Sequence, residues 1–131
     1  MVPKREWMIW SAGFFDGEGT IYISKQTQLI VSVGQRILEP LEVLQRLYGG
    51  SLRLTSTDQH LWFISSGKAS NALQQMLPWL TVKRSQATLA IEFQALVGKP
   101  GTNSTPPKKR ARRLEIAEEL RRMKRPWLVD A

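Results

Sequence analysis

The sequence predicts an α+β fold in which helices back a curved antiparallel sheet, in the order helix, strand, strand, helix, strand, strand, helix, helix, with one more helix towards the end. Three observations predict it. Five stretches carry apolar residues at helical spacing, two others hold paired runs of alternating apolar and polar residues, and glycines or short polar turns separate them.

From Arg5 to Phe15 the residues Trp7, Met8, Ile9, Trp10, Ala12, Phe14 and Phe15 wrap most of a helix, which should therefore be largely buried and end near Gly17 to Gly19. In TIYISKQTQLIVSVGQ, Ile21 and Ile23 alternate with Thr20, Tyr22 and Ser24. Leu29, Val31 and Val33 alternate with Gln28, Ile30, Ser32 and Gly34, so two strands joined by a turn fit best. EPLEVLQRLYGG spaces Leu41, Leu44 and Leu47 helically and stops at Gly49 and Gly50. A second hairpin follows in GSLRLTSTDQHLWFIS. There Leu52 and Leu54 face the core, and beyond the turn Leu61 and Phe63 do so, with His60 and Trp62 on the other side. SSGKASNALQQML reads as a helix capped by Ser65 or Ser66, and VKRSQATLAIEFQALVG as another, ended by Gly98. Residues 1–98 thus form the core of one domain, 99–107 a Gly- and Pro-rich linker, and 108–131 a basic helix and tail packed on the same domain, with Leu114, Ala117, Leu120 and Met123 along its apolar side.

Composition narrows the chemistry. The chain has no cysteine and a single histidine, so disulfides and thiolate or multi-histidine zinc sites are excluded and any metal must be held by oxygen. No apolar run is long enough to span a bilayer and the first residues lack a secretory signal, which predicts an intracellular protein, in a bacterial cytoplasm or an organelle, without a membrane partner. Nineteen Lys and Arg against eleven Asp and Glu leave a formal charge of +8, favouring a polyanion such as nucleic acid. Residues 108–125 carry nine bases against three acids, most of that excess. Such a run suits a solvated helix face or, with its bases at two ends, two phosphate contacts through residues such as Lys109 and Arg113.

One segment stands apart. SAGFFDGEG, residues 11–19, ends an apolar helix in two acids set between glycines. Gly13 and Gly17 lie one helical turn apart and, with Ala12, make a smooth strip on which a second helix could approach closely. There is no internal repeat, so the second helix must come from another copy, giving a two-fold homodimer. Asp16 and Glu18 are then either helix-end acids facing solvent or carboxylates delivered to a shared place where the two helices end.

This nonapeptide, followed by two hairpins separated by a helix, resembles the LAGLIDADG homing endonucleases of the single-motif type, over about residues 5–97. Ser11 replaces a larger apolar residue of the motif, and the remaining positions fit. The resemblance implies a site-specific endonuclease that acts as a homodimer and makes a metal-dependent double-strand break in a long, nearly palindromic DNA target. It implies that Glu18 binds the catalytic cation, with the Gly17 carbonyl as a further oxygen, and that Asp16 is structural. Mg²⁺ is the expected metal, with Mn²⁺ as a substitute and Ca²⁺ supporting binding without efficient cleavage. Gln35 aligns with a polar residue that orients water, and Lys83 with a lysine that offsets phosphate charge. The basic residue often found after that glutamine has no clear counterpart, Arg36 being nearest.

Alternation leaves one sheet face free, a saddle for the DNA major groove that carries Tyr22, Ser24, Gln26, Gln28, Ile30, Ser32, Ser51, Arg53, Thr55, His60 and Trp62. Gln suits adenine, Arg suits guanine, and Ile or Trp can pack on thymine methyls. Two other readings use the same residues. One is an intron maturase or a non-cleaving DNA- or RNA-binding protein on this scaffold; the other is a basic ribosomal-type RNA-binding module, which leaves the glycine-lined helix and its acids unexplained.

Overall fold

In the computed structural model, which describes residues 4–25, 27–98 and 105–124, the predicted order of elements is found. Gln26, most of the expected linker at 99–107 and the expected tail at 125–131 lie outside the described residues. Helix α1 spans Arg5–Glu18, ending within the expected Gly17 to Gly19, and runs directly into β1, Gly19–Ser24. β2 (Gln28–Gln35), α2 (Glu39–Tyr48), β3 (Ser51–Leu54) and β4 (His60–Ser65) follow. Then come α3 (Ser66–Met76), a 3₁₀ turn at Leu77–Trp79, α4 (Arg84–Ala95) and α5 (Pro107–Lys124). Ser65 occupies the N-cap position of α3 without a side-chain bond to the helix. No described helix is long and apolar enough to cross a membrane.

The sheet is antiparallel throughout, in the order β1-β2-β4-β3. Its buried side is made by Ile21, Leu29, Val31, Val33, Trp62 and Ile64, which join Ala12, Phe15, Leu41, Leu44, Leu73, Met76, Phe93, Ile116 and Leu120 from the helices in one core. All five helices therefore lie behind one face. The other face is left open.

The phase of β4 is the reverse of the one expected. Val33 pairs with Trp62 and Val31 with Ile64, so Trp62 and Ile64 enter the core while Leu61 and Phe63 turn to the open face. The segment HLWFIS has four apolar residues in a row, which alternation alone cannot phase. Burying the largest side chain decides it. Trp62 is 0% exposed, and its Nε1–H, the one polar group of the ring, donates to the Gly49 carbonyl at 2.9 Å. Gly50 makes room for it: with φ of 96°, a Cβ there would meet the Phe63 carbonyl oxygen at 2.6 Å and the indole Nε1 at 3.0 Å.

Helix α5 packs on α4 and β1 through Ile116, Ala117 and Leu120, whereas Leu114, expected on that side, is 43% exposed. Arg112 joins it to α4 by a fork on Glu92, with Nε and Nη2 at 2.7 and 2.9 Å. The hydrogen bond from Arg112 holds the Glu92 carboxyl below its ordinary range, so this link contributes fully above the ordinary range and is lost as pH falls from there through the lowered value of the folded state.

Gly19 sits where α1 becomes β1, and a Cβ there would stand 2.1 Å from the ring of Phe15, itself fully buried. The ring cannot swing away. Gly19→Ala is therefore expected to cost about 1–3 kcal/mol as an overpacked core site, read as a lower midpoint of urea unfolding. By contrast Gly13→Ala, whose Cβ meets nothing within 4 Å, should leave the stability of the single chain unchanged or slightly raised.

Candidate nucleic-acid interface and active site

The end of α1 is fixed by Asp16. Its side chain accepts the backbone N–H of Thr81 at 2.7 Å and of Lys83 at 3.0 Å, and in return Lys83 Nζ donates to the Asp16 carbonyl at 2.6 Å. Two segments far apart in sequence are thus locked together, and the locking residues flank the exposed Glu18. Charge-assisted bonds to backbone donors are among the stronger ones available. Both carboxylate oxygens of Asp16 are engaged in these bonds, and Glu18 is left facing solvent.

Gln35 belongs to the same end of the molecule. Gly19 pairs with Val33, so Gln35, two residues further along β2, extends past the point where α1 enters the sheet. His60 stands directly across from Gln35 on β4. It lies on the helix-facing side at the sheet end, half-buried, and not on the open face where alternation put it. Glu18, Gln35 and Lys83 are therefore gathered from α1, β2 and the start of α4 to one end of the sheet. Among the described residues no three His, Asp or Glu side chains come together as a metal site. At the end of α1 the chain offers the solvent-facing Glu18 carboxylate with the Gly17 carbonyl next to it in sequence, a hard-oxygen set that suits Mg²⁺, which accepts one or two carboxylates and completes its shell with water and phosphate oxygens.

The outward strip of α1 is made by Gly13 and Gly17, both exposed, with Ile9 and Trp10 40% and 36% exposed on the preceding turns. Trp10 stacks on Phe14 and meets Trp7 edge-on. Ala12 is not part of that strip. One position away, about 100° round the helix, it is fully buried in the chain's own core. Ser11, where the motif departs from its relatives, is also buried and donates to the Trp7 carbonyl at 2.7 Å, so its hydroxyl is satisfied within α1.

Tyr22, Ser24, Gln28, Ile30, Ser32, Ser51 and Arg53 stand on the open sheet face. Three other assignments to that face are overturned. Trp62 is in the core and His60 on the helix side, for the reasons given. Thr55 falls beyond β3 in the turn, where its Oγ1 accepts from the Gln59 N–H at 3.3 Å and lies 3.0 Å from Thr57 Oγ1. Leu61 and Phe63 take their places, with the Arg53 guanidinium 5.4 Å above the Phe63 ring. The open face thus combines hydroxyls, amides, one stacked guanidinium and a half-buried apolar band. Among the bases expected at phosphates, Lys109 is exposed, whereas Arg113 is half-buried over the Phe93 ring at 5.1 Å. Arg84 donates to the carbonyls of Leu80 and Pro78.

No protein-family model matches the chain, and no curated protein matches it in sequence. Solved structures do match in fold. The homing endonuclease I-CvuI, in complex with its target in the presence of calcium, superposes with a TM-score of 0.77 over 91% of this chain and 82% of its own, at 21% identity. I-Vdi141I, an archaeal intron-encoded homing endonuclease complexed with DNA, gives 0.75 over 92% and 86%, at 18% identity. I-SmaMI, bound to an uncleaved DNA target in the presence of calcium, gives 0.63 over 90% of this chain and 45% of that one, at 21% identity. The protein has the fold of the LAGLIDADG homing endonucleases.

The Asp16 lock gives a measurable expectation. Asp16→Asn keeps the shape but replaces one acceptor oxygen by a donor facing a backbone N–H, and should cost about 1–3 kcal/mol of stability. A thermal melt indistinguishable from the parent's would overturn that reading.

Proposed function

We propose that the chain is a site-specific homing endonuclease that acts as a homodimer and makes a metal-dependent double-strand break in a long, nearly palindromic DNA target. The observation that carries this is the exposed Glu18 at the end of a helix whose outward strip is glycine, set beside Lys83 and Gln35 at the end of an open sheet face. The fold neighbours solved on DNA with calcium or magnesium support it.

Each residue has a distinct part. Two α1 helices meeting along Ile9, Trp10, Gly13 and Gly17 bring two Glu18 carboxylates to one place, and I-SmaMI, of which this chain spans under half, has the length of two such units. Glu18, with the Gly17 carbonyl, holds Mg²⁺, which when bound supplies charge neutralisation and a more acidic water. Mn²⁺ can substitute, and Ca²⁺, looser in geometry, supports binding with little cleavage. Gln35 orients water at the scissile phosphate. Lys83, fixed by Asp16, offsets the phosphate's charge. The open sheet face reads bases in the major groove, Arg53 towards guanine, Gln28 towards adenine, and Ile30 and Phe63 against thymine methyls.

Binding and chemistry separate in this arrangement, because sheet and basic residues grip DNA while Glu18 serves hydrolysis. Glu18→Gln should bind a cognate duplex as tightly as the parent in gel retardation, or more tightly with its carboxylate charge gone, and fail to nick it at ordinary Mg²⁺ concentrations. Cleavage near the parental rate would place the metal elsewhere. Retardation without product from the parent itself would make the protein a non-cleaving binder. Gly13→Leu should abolish dimer and cleavage together while the chain stays folded, and a variant still dimeric by light scattering would remove α1 from the interface.

A further inference from the structure

The open sheet face accounts for base contacts, yet the chain's excess charge lies elsewhere. Helix α5 sorts its charges between its sides. Arg112 pairs with Glu92 and Glu115, Arg122 pairs with Glu119, and these residues with Glu118 line one flank of the helix. The opposite flank has no acid. There a cleft of about 250 Å³ opens between α5 and the β1–β2 turn, lined by Lys25, Thr27, Arg110, Arg113 and Leu114.

We propose that this cleft binds a phosphodiester of the DNA backbone, with Lys25 and Arg110 as its ligands and Arg113 as its fixed floor. The site rests on the reading of the chain as a DNA-binding nuclease and adds to it a contact outside the sheet. Among the described residues, neither the Lys25 nor the Arg110 side chain has an ion pair or hydrogen bond. Arg113 is held in place over Phe93 at 5.1 Å, with Nη2 3.4 Å from the Thr27 carbonyl, and its Nε is shut off from solvent without a partner. A guanidinium that is partly desolvated and faces no acid projects its field into the cleft more strongly than a solvated one. Arg110 lies in the first turn of α5, which contains no acid, so the positive end of the helix adds to the same potential.

The cleft also stands well apart from Glu18. Glu18 and the β1–β2 turn are at opposite ends of β1, whose six residues span roughly 20 Å at about 3.3 Å each. At about 3.4 Å per nucleotide this places the gripped phosphate roughly six base pairs from the scissile one. The cleft therefore anchors each half of the target outside the cut, a contact that fixes register and carries no base preference.

A phosphodiester and a free phosphate ion share this chemistry, and two measurements separate them. The first is the salt dependence of binding to a mixed-sequence duplex, for the parent, Lys25→Gln, Arg110→Gln and the double variant, with Arg122→Gln on the acid-bearing flank as control. Both singles should weaken binding to cognate and scrambled duplexes alike, the double should flatten the slope of log K against log salt by about one, and the control should leave it unchanged. The second follows the backbone amides of Thr27 and Arg110 by NMR as inorganic phosphate is added, and needs no DNA. Weak, saturable shifts in the parent that vanish in the double variant support the site. Tight phosphate binding with an unchanged duplex slope would assign the cleft to a free anion and overturn the proposal, as would an unchanged slope with no phosphate shifts. If the parent itself has no affinity for duplex DNA, the nuclease reading fails, and the phosphate titration then decides whether the cleft binds an anion at all.

Discussion

The junction of α1, β1 and α4 depends on one carboxylate. Asp16 takes two backbone N–H groups from the segment before α4 and receives Lys83 on its own carbonyl. Without that exchange, the start of α4 would lose these partners and the end of α1 would be held by apolar packing, chiefly of Ala12 and Phe15, and by its own backbone bonds. With it, the exposed acid, the lysine and the first pair of the sheet are placed by a few short bonds. Positioning by a rigid neighbour keeps a reactive group in geometry without an entropy cost at each encounter with substrate.

The division of labour within SAGFFDGEG follows from helical geometry. Ala12 and Phe15 face inward, Gly13 and Gly17 outward, and Asp16 sideways towards α4. One nonapeptide therefore serves the core, presents an open glycine strip, locks α1 to the segment before α4 and sends one acid outward. Gly19 completes it for a purely steric reason, since the Phe15 ring occupies the place of its Cβ.

How much of this could be read from the residues varied with the physics involved. Element order was legible because helical and strand periods differ and glycines separate them. The motif was legible because its parts are contiguous. The facing of β4 was not, since HLWFIS is apolar at four successive positions and only the pairing of Trp62 with Val33 and Leu52 phases it. The buried side of α5 is no more legible, with Ile116 rather than Leu114 entering the core. Ala12 was grouped with the outward glycines on size alone, although the next helical position points elsewhere. The bond between Asp16 and Lys83 joins residues 67 positions apart and has no local signature. Arg113 looked like one more surface base, and only the packing of α5 on α4 reveals that it is bound over an aromatic ring.

The strand order carries a further consequence. The outermost strands of an open sheet present unpaired main-chain groups to which a strand of any other molecule can add. Here β1, one border, has α5 packed along it through Ala117 and Leu120, with Lys124 above the Tyr22 ring. The other border, β3, is only four residues long, and its Arg53 sets a charge on it. Neither invites sheet-to-sheet association. Copies of this chain are steered away from extending one another's sheets into fibres, and the apolar and glycine surface that α1 exposes is a helix face, which offers no strand edge to extend.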